Sequence, residues 1–363
     1  MAMERYIRRD IRELAPYDPP DLEAIAAGAG FPSEQLIRLN ANENPFGPSP
    51  RVAQALATYA GFARYPVYPA LRAALAGYAG VDPEQVVLGN GSNELIDLVM
   101  RLCLEPGHGV ILCPPTFSMY RFFAFLGHHP VWAVPRGEDF SVDVAAIKAL
   151  VREGGERRPR LLFLASPGNP DGLAIPRQVV EGLLRLPLVV VVDEAYIEFG
   201  GASVLPLLAE QGNLIVLRSF SKWAGLAGLR LGYALLSPRL ARYLERIRVP
   251  FNVNAAAVLA TLATLEDLPA VRANVARLLE ERGWLQAALA QIPWLEPAPS
   301  QANFILCRVR GHSGGELARA LAAQGILVRS FCQAGLEGYV RITVGRPEQN
   351  RALQRALLAM PWG

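Results

Sequence analysis

Five apolar runs constrain this chain more than any other feature, because each ends in a polar or glycine-rich loop. They open the stretches "VVLGNGSNELIDLVMRLCL", "GVILCPPTFSMYRFFAFLG", "RLLFLASPGNPDG", "LVVVVDEAYIEF" and "NLIVLRSFSK". A strand with one face in water alternates apolar and polar residues, whereas these runs are apolar almost without a break. Strands of that kind are buried on both faces, which implies a mostly parallel sheet flanked by helices. Ligands of such sheets sit beyond the carboxyl ends of the strands, and each run delivers its polar residues at that end. The last hundred or so residues read differently. Helical patterns such as "NVARLLEERGWLQAALAQI" precede the separated strands "ANFILCRV", "GILVRSF" and "YVRITVG". The expected fold is therefore α/β, with a large domain over 46–249 carrying the mostly parallel sheet. Residues 1–45 and 250–363 are expected to form a smaller α+β domain, the N-terminal segment packing on its C-terminal part.

Composition excludes several alternatives. A formal charge of +3 on 363 residues is too small to argue for nucleic-acid or membrane partners. The start, "MAMERYIRRDIRELAPY", is charged throughout and lacks the apolar core of a signal peptide. The longest apolar stretch, in "LPLVVVVDEAY", falls far short of the roughly 20 residues of a membrane span. The four cysteines, Cys103, Cys113, Cys307 and Cys332, show no C-x-x-C spacing, which suits reduced thiols in a cytoplasmic protein. The four histidines include no H-x-x-x-H pair, so no metal site is expected.

Of 36 basic residues only Lys148 and Lys222 are lysines. Lys222 lies in the glycine-rich turn "SFSKWAGLAGLRLGY", where an amine can do what a guanidinium cannot: lose its proton and attack a carbonyl. Taken alone, a solvated surface lysine is an equal reading. Asp193 ends the apolar strand "VVVVD", and a charge at the lip of a buried sheet needs a cationic or strongly donating partner. A salt bridge to a nearby arginine is the plain alternative. "GNGSNE" starts a helix at about Ser92, and helix N-termini bind phosphate through free N–H groups and the dipole, although many such turns are only turns. Asn169 in "SPGNPDG" is by itself best read as a turn residue. Arg230, with Ser219 and Ser221, offers a second set of phosphate ligands. One ligand uses all these groups at once, with an aldehyde for the lysine, a phosphate for the helix and a pyridine nitrogen for the aspartate. That ligand is pyridoxal phosphate, in which the protonated ring acts as an electron sink. Lys222 then carries the cofactor as a Schiff base and shuttles the proton. Asn169 and Tyr196 are placed to bond the ring hydroxyl. Phe117 in "PPTFSMY" either stacks on the ring or belongs to the core.

The set "SPGNPDG", "DEAYIEF", "SFSKWAGLAGLRLGY" and "YVRITVG" resembles the fold-type I, class I/II aminotransferases. Within them, "RLNANENPFGPSP", "ARYPVYP" and "GNGSNELIDL" are similar to the histidinol-phosphate aminotransferase family, over nearly the full chain. The lysine motif is shared by the wider superfamily, and the "LNANENP…RYP" combination is narrower. The resemblance implies a fold-type I pyridoxal-phosphate-dependent transferase. Its reaction converts L-histidinol phosphate and 2-oxoglutarate to imidazole-acetol phosphate and glutamate, in histidine biosynthesis. Carried over by motif, Lys222 matches the Schiff-base lysine, Asp193 the pyridinium partner, and Asn169 and Tyr196 the ring-hydroxyl contacts. Ser92, Asn93, Ser219, Ser221 and Arg230 match the cofactor-phosphate ligands. Tyr65 matches a tyrosine that reaches into the neighbouring subunit's site, which implies a homodimer with shared active sites. Arg341 matches the arginine that pairs with the substrate α-carboxylate, a task suited to a planar fork. Arg329 and Tyr17 match positions near the phosphate of the amino-alcohol substrate, and Asn42, with Asn169, is a further expected substrate contact. Phe117 departs from a common ring-stacking tyrosine, and Ser92-Asn93 from an Ala-Asp pair in some relatives. Neither removes a needed function, because stacking needs no hydroxyl and the helix N–H groups remain.

Three other readings are weighed. An aromatic-amino-acid aminotransferase shares most of these motifs. A threonine-phosphate decarboxylase of corrinoid synthesis uses the same lysine and phosphate logic, but "LNANENP" is more typical of the transaminase. A regulator with a degenerate cofactor domain carries an N-terminal DNA-binding helix pair, and only ~35 residues precede the motif region here.

Overall fold

In a computed structural model of the protein, residues 3–14, 21–30, 32–153, 155, 159–333 and 335–362 are described. Among the described residues twelve strands run in chain order: β1 (Ile37–Leu39), β2 (Val86–Asn90), β3 (Gly109–Leu112), β4 (Val131–Ala133), β5 (Pro159–Ala165), β6 (Val189–Asp193), β7 (Leu214–Ser219), β8 (Leu231–Leu236), β9 (Leu295–Pro297), β10 (Phe304–Val309), β11 (Ile326–Ser330) and β12 (Tyr339–Thr343). Seven form a large sheet in the order β2-β8-β7-β6-β5-β3-β4. The pairs β3–β4, β3–β5, β5–β6 and β6–β7 are parallel, and β8 runs antiparallel to both its neighbours.

The apolar runs form strands because each alternate side chain finds a different core. In β6, Val190 and Val192 join one cluster with Ile147, Val180 and Leu183, while Val191 joins another with Leu95, Tyr120 and Leu244. Strand β7 repeats the alternation, with Leu214 and Val216 on the first side and Ile215 and Leu217 on the second. Helices Val144–Glu153 and Arg177–Leu184 therefore cover one face. Helices Ser92–Cys103, Ser118–Leu126 and Pro238–Ile247 cover the other. Burying each such valine contributes about 1.5–3 kcal/mol, so the central strands are fixed in register and their carboxyl ends are rigid platforms.

The second sheet has the order β1-β11-β12-β10-β9. Strand β1 pairs with β11 in parallel, drawing the N-terminal segment onto the C-terminal part, and the remaining pairs are antiparallel. From β1 the chain crosses to the large sheet through the segment 40–49. There the Asn44 side-chain amide donates to Trp223 O at 2.9 Å. A Cβ on Gly225 would come 2.5 Å from the Gly47 carbonyl carbon, so glycine is required where the two backbones touch. Phe46 lies between the guanidiniums of Arg277 and Arg346, at 3.9 and 5.7 Å from its ring centre. Among the described residues no helix is long and apolar enough to cross a membrane.

Candidate active site

The strand ends of the large sheet collect the first group of functional side chains. Asp193 is the last residue of β6 and is buried. Its Oδ2 accepts from the Tyr120 hydroxyl at 2.9 Å and its Oδ1 from the Ala195 N–H at 3.1 Å. Among the described residues no arginine or lysine forms an ion pair with it. The nearby arginine serves its neighbour: Glu194, on the opposite face of the strand, accepts from Arg218 Nη2 at 2.9 Å and Nε at 3.1 Å. Desolvation pushes the Asp193 carboxyl up to about 6, against the hydrogen bond from Tyr120, which lowers it. A carboxylate has about four lone-pair sites, so two remain for a donor arriving from the site.

The second group forms an anion cradle at the ends of β2, β7 and β8. Helix Ser92–Cys103 starts after Gly91, which has φ 76° and gives the helix no side-chain cap. A Cβ there would lie 2.5 Å from Arg230 Nη2, so glycine at this left-handed position leaves the arginine room over the helix start. Arg230 itself sits in the left-handed region at φ 58°, a backbone state that costs a non-glycine residue energy. Its Nη1 donates to Ser221 Oγ at 3.4 Å, and the Ser221 N–H donates to Ser219 Oγ at 3.1 Å. Ser92, Ser219, Ser221 and Arg230 therefore converge, with Asn93 next on the helix. Free N–H groups, hydroxyls and a guanidinium in one place are the donor set of a phosphate site.

The third group hangs on the segment Asn40-Ala41-Asn42. Asn40 O accepts from Arg341 Nη2 at 2.9 Å, Ala41 O from Lys222 Nζ at 3.1 Å, and Asn42 Nδ2 donates to Tyr196 Oη at 2.9 Å. Asn42 is buried and held at φ 54°. Its N–H donates to Thr343 Oγ1 at 3.0 Å and its carbonyl accepts from Asn303 at 3.0 Å. Arg341 also donates to Asn169 Oδ1 at 2.6 Å. Lys222, three residues beyond β7, is half-buried. Desolvation first, then the positive charges of Arg341 and Arg230, bring its ammonium down to about 8, opposed by Glu43. Desolvation raises the Tyr196 phenol, which keeps it a neutral donor and acceptor.

The remaining expected residues fall in three places. Arg329 pairs with Arg341 across β11 and β12, so both side chains leave the small sheet on the same face. Phe117 precedes helix Ser118–Leu126 and meets Tyr120 edge-on, with centroids 5.5 Å apart. Tyr65 is not in the cluster: it is 76% exposed and stacks on Phe251 at 4.4 Å. Tyr17 lies outside the described residues. Sequence reasoning missed Tyr120, which stands three residues after Phe117 in a stretch already singled out. It also missed Asn40 and Ala41, which act through backbone carbonyls and leave no residue-type signal. A buried aspartate with no local cation was the clue that could have pointed to a tyrosine donor.

The chain matches the family of class I and II aminotransferases over residues 34–357. The histidinol-phosphate aminotransferase of Roseiflexus castenholzii is 49% identical over 359 residues, covering 96% of each chain. The chloroplastic histidinol-phosphate aminotransferase of Nicotiana plumbaginifolia is 42% identical, covering 98% of this chain and 86% of that one. The crystal structure of histidinol-phosphate aminotransferase from Sinorhizobium meliloti in complex with pyridoxal-5'-phosphate has a TM-score of 0.85 and 29% identity, covering 97% of this chain and 96% of that one. Nearly full-length identity at this level, over a chain whose strand ends gather an amine, an unpaired acid and an anion cradle, assigns the protein to the histidinol-phosphate aminotransferases of the class I and II aminotransferase family.

Proposed function

We propose that the protein transfers the amino group of L-histidinol phosphate to 2-oxoglutarate, giving imidazole-acetol phosphate and glutamate in histidine biosynthesis. The observation that carries this reading is the 49% identity to a histidinol-phosphate aminotransferase over 96% of both chains. The residues present fit pyridoxal phosphate: the cradle of Ser92, Asn93, Ser219, Ser221 and Arg230 suits its phosphate, and the unpaired Asp193 suits its pyridine nitrogen. When bound, this cofactor supplies an aldehyde that takes up amino groups and a ring that accepts the electron pair left by a departing proton. Lys222 Nζ, with a pKa of about 8, is unprotonated in a useful fraction near neutral pH, so it serves both as the attachment point and as the group that moves the substrate's proton. Asp193 holds the proton of the ring nitrogen, Asn169 and Tyr196 orient the ring hydroxyl, and Phe117 covers the ring. Arg341 clamps the glutamate α-carboxylate. Arg329, on the same face, and Tyr17 meet the substrate phosphate, and Asn42 fixes Tyr196. On this reading the large unit spans 46–249, the small one 1–45 and 250–363, and the site lies where they meet.

A second subunit completes the site in this reading. Tyr65, Val67 and Phe62 are 76%, 75% and 65% exposed, and Tyr65 stacks on Phe251, itself exposed; exposed apolar surface of this kind suits a protein contact. A homodimer covers it and carries Tyr65 to the partner's cofactor phosphate. Turnover of histidinol phosphate with 2-oxoglutarate, set beside phenylalanine and phosphothreonine, tests the substrate. Faster turnover of either competitor overturns it. Mixing inactive Tyr65→Ala and Lys222→Ala proteins tests the sharing: heterodimers regain one working site in two if Tyr65 crosses, and none if it does not.

A further inference from the structure

Tyr120 ends the stretch "PPTFSMY" without a role assigned to it there, yet its phenol touches the buried acid of the site. We propose that Tyr120 is a positioning residue for the reaction: its hydroxyl holds Asp193 as an oriented carboxylate, ready for the pyridine nitrogen. The inference rests on the reading of Asp193 given above and adds the group that acts through it.

The geometry leaves this phenol little freedom. Tyr120 is fully buried in helix Ser118–Leu126. Its ring stacks on Phe163 at 4.9 Å and 22°, and meets Phe117 edge-on at 87°. Two aromatic contacts fix the ring, and the hydroxyl then falls 2.9 Å from Asp193 Oδ2. The surrounding cluster is made of Leu95, Val191, Leu217 and similar side chains. A hydroxyl in such surroundings is costly unless it is bonded, so packing alone would be better met by phenylalanine. Desolvation, followed by the adjacent Asp193 charge, drives the phenol's own ionisation well upward, which keeps it a donor.

The groups around Asp193 leave Tyr120 alone in this role. From its own strand, Glu194 adds a like charge that raises the Asp193 carboxyl, and Ala195 supplies one backbone N–H. Tyr196 interacts with Asp193 through charge, and its hydroxyl oxygen accepts from Asn42 Nδ2 at 2.9 Å, with no hydrogen bond to Asp193 among the described residues. Strands β5 and β7 offer only Ala165 and Leu217 opposite Asp193. Tyr120 is thus the one side-chain donor recorded on this carboxylate among the described residues. The same ring supports Phe117, so the acid and the ring-covering residue share one anchor.

Tyr120→Phe removes the hydroxyl and keeps both ring contacts, which separates positioning from packing. The measurement is the binding of pyridoxamine phosphate, which does not react with Lys222, between pH 5 and pH 8.5, with thermal melting alongside. Wild-type affinity should weaken as pH falls through about 6, where Asp193 protonates. In Tyr120→Phe the weakening should set in about one pH unit higher, with a Kd roughly twofold larger at pH 7 and roughly tenfold larger at pH 5. The ligand's own titration is common to both proteins and cancels in the comparison. In an Asp193→Asn background the added Tyr120→Phe change should shift nothing. Superimposed profiles for wild type and Tyr120→Phe overturn the proposal, as does a shift that persists in Asp193→Asn. If Asp193→Asn itself leaves the profile of the wild type intact, the reading of Asp193 falls instead. Tyr120→Leu, which also removes the donor, stands in should Tyr120→Phe fail to fold, and the same shift is expected of it.

Discussion

Two carboxylates follow one another at the end of β6 and face opposite sides of the sheet. Glu194, on one side, is enclosed by Arg218, the Ser203 hydroxyl at 2.8 Å and the Val204 N–H at 2.8 Å. Asp193, on the other, has a phenol and one backbone N–H and, among the described residues, no cation. Both are buried at the end of the same rigid strand, so each must be compensated for its lost hydration. The difference lies in what compensates them. Glu194 is neutralised within the chain and ties the ends of β6 and β7 together. Asp193 is left with a charge that no cation among the described residues pairs, which makes it the one prepared to meet a cationic ring. A buried acid alone therefore does not mark a site here, whereas a buried acid denied its available arginine does.

The largest effect should separate the two faces outright. Asp193→Asn should slow the transfer of the substrate's proton by ~100-fold or more, with cofactor retained through its phosphate and the melting temperature little changed. Single-turnover rates beside thermal melts test this. Unimpaired turnover per folded molecule would return Asp193 to a purely structural part.

Arg218→Met should do the reverse. It strands Glu194 as an uncompensated buried charge, at a cost of about 3–5 kcal/mol of stability, while turnover per folded molecule stays within a few-fold of the wild type. Denaturant melts and active-site-normalised rates measure the two quantities separately. A rate loss as deep as that of Asp193→Asn, at unchanged stability, would erase the contrast between the faces.

How much of this was readable beforehand differs between the same regions. The large sheet's apolar strands announce themselves, because burial on both faces keeps the middles of β5, β6 and β7 apolar and leaves their polar residues to the strand ends. Asp193 and Lys222 stand out against such strands as a charge and a rare amine. The direction of β8 was not readable, since a buried edge-adjacent strand looks the same in either sense. Strands β4 and β9, at three residues each, are too short to carry a pattern. The choice of Arg218 for Glu194 over Asp193 depends on which face each side chain takes, and the alternation along β6 and β7 settles that only once the register is known. The segment 40–42 was quoted for its resemblance. Its attachment to Thr343 spans 301 positions, a pairing that no local pattern encodes, and two of its three contacts use carbonyls that every residue has.

The smallest effect concerns the surplus acid on the paired face. Glu198 follows Tyr196 by two residues. Its Oε1 accepts weakly from the Tyr78 hydroxyl at 3.4 Å, and its Oε2 is buried with no hydrogen-bond partner among the described residues. Desolvation raises its carboxyl to about 7, with Arg218 opposing and Glu194 adding to the rise. Arg218 is thus surrounded by two acids, of which Glu194 holds the hydrogen bonds. The folded value exceeds the ordinary one of 4.5, so the folded protein binds this proton more tightly than the unfolded chain does. The stability it contributes is full below about 4.5 and is lost as pH rises through about 7. Glu198→Gln cannot ionise and loses nothing over that range. Relative to the wild type, the variant should therefore gain stability between pH 5 and pH 8, by about 1–3 kcal/mol. Asp193 titrates in the same sense in both proteins, so the difference between them isolates Glu198. Melting curves that stay parallel from pH 5 to pH 8 would mean that Arg218 holds both carboxylates ionised, and the face opposite Asp193 would then carry one cation shared by two carboxylates rather than one pair and a neutral acid.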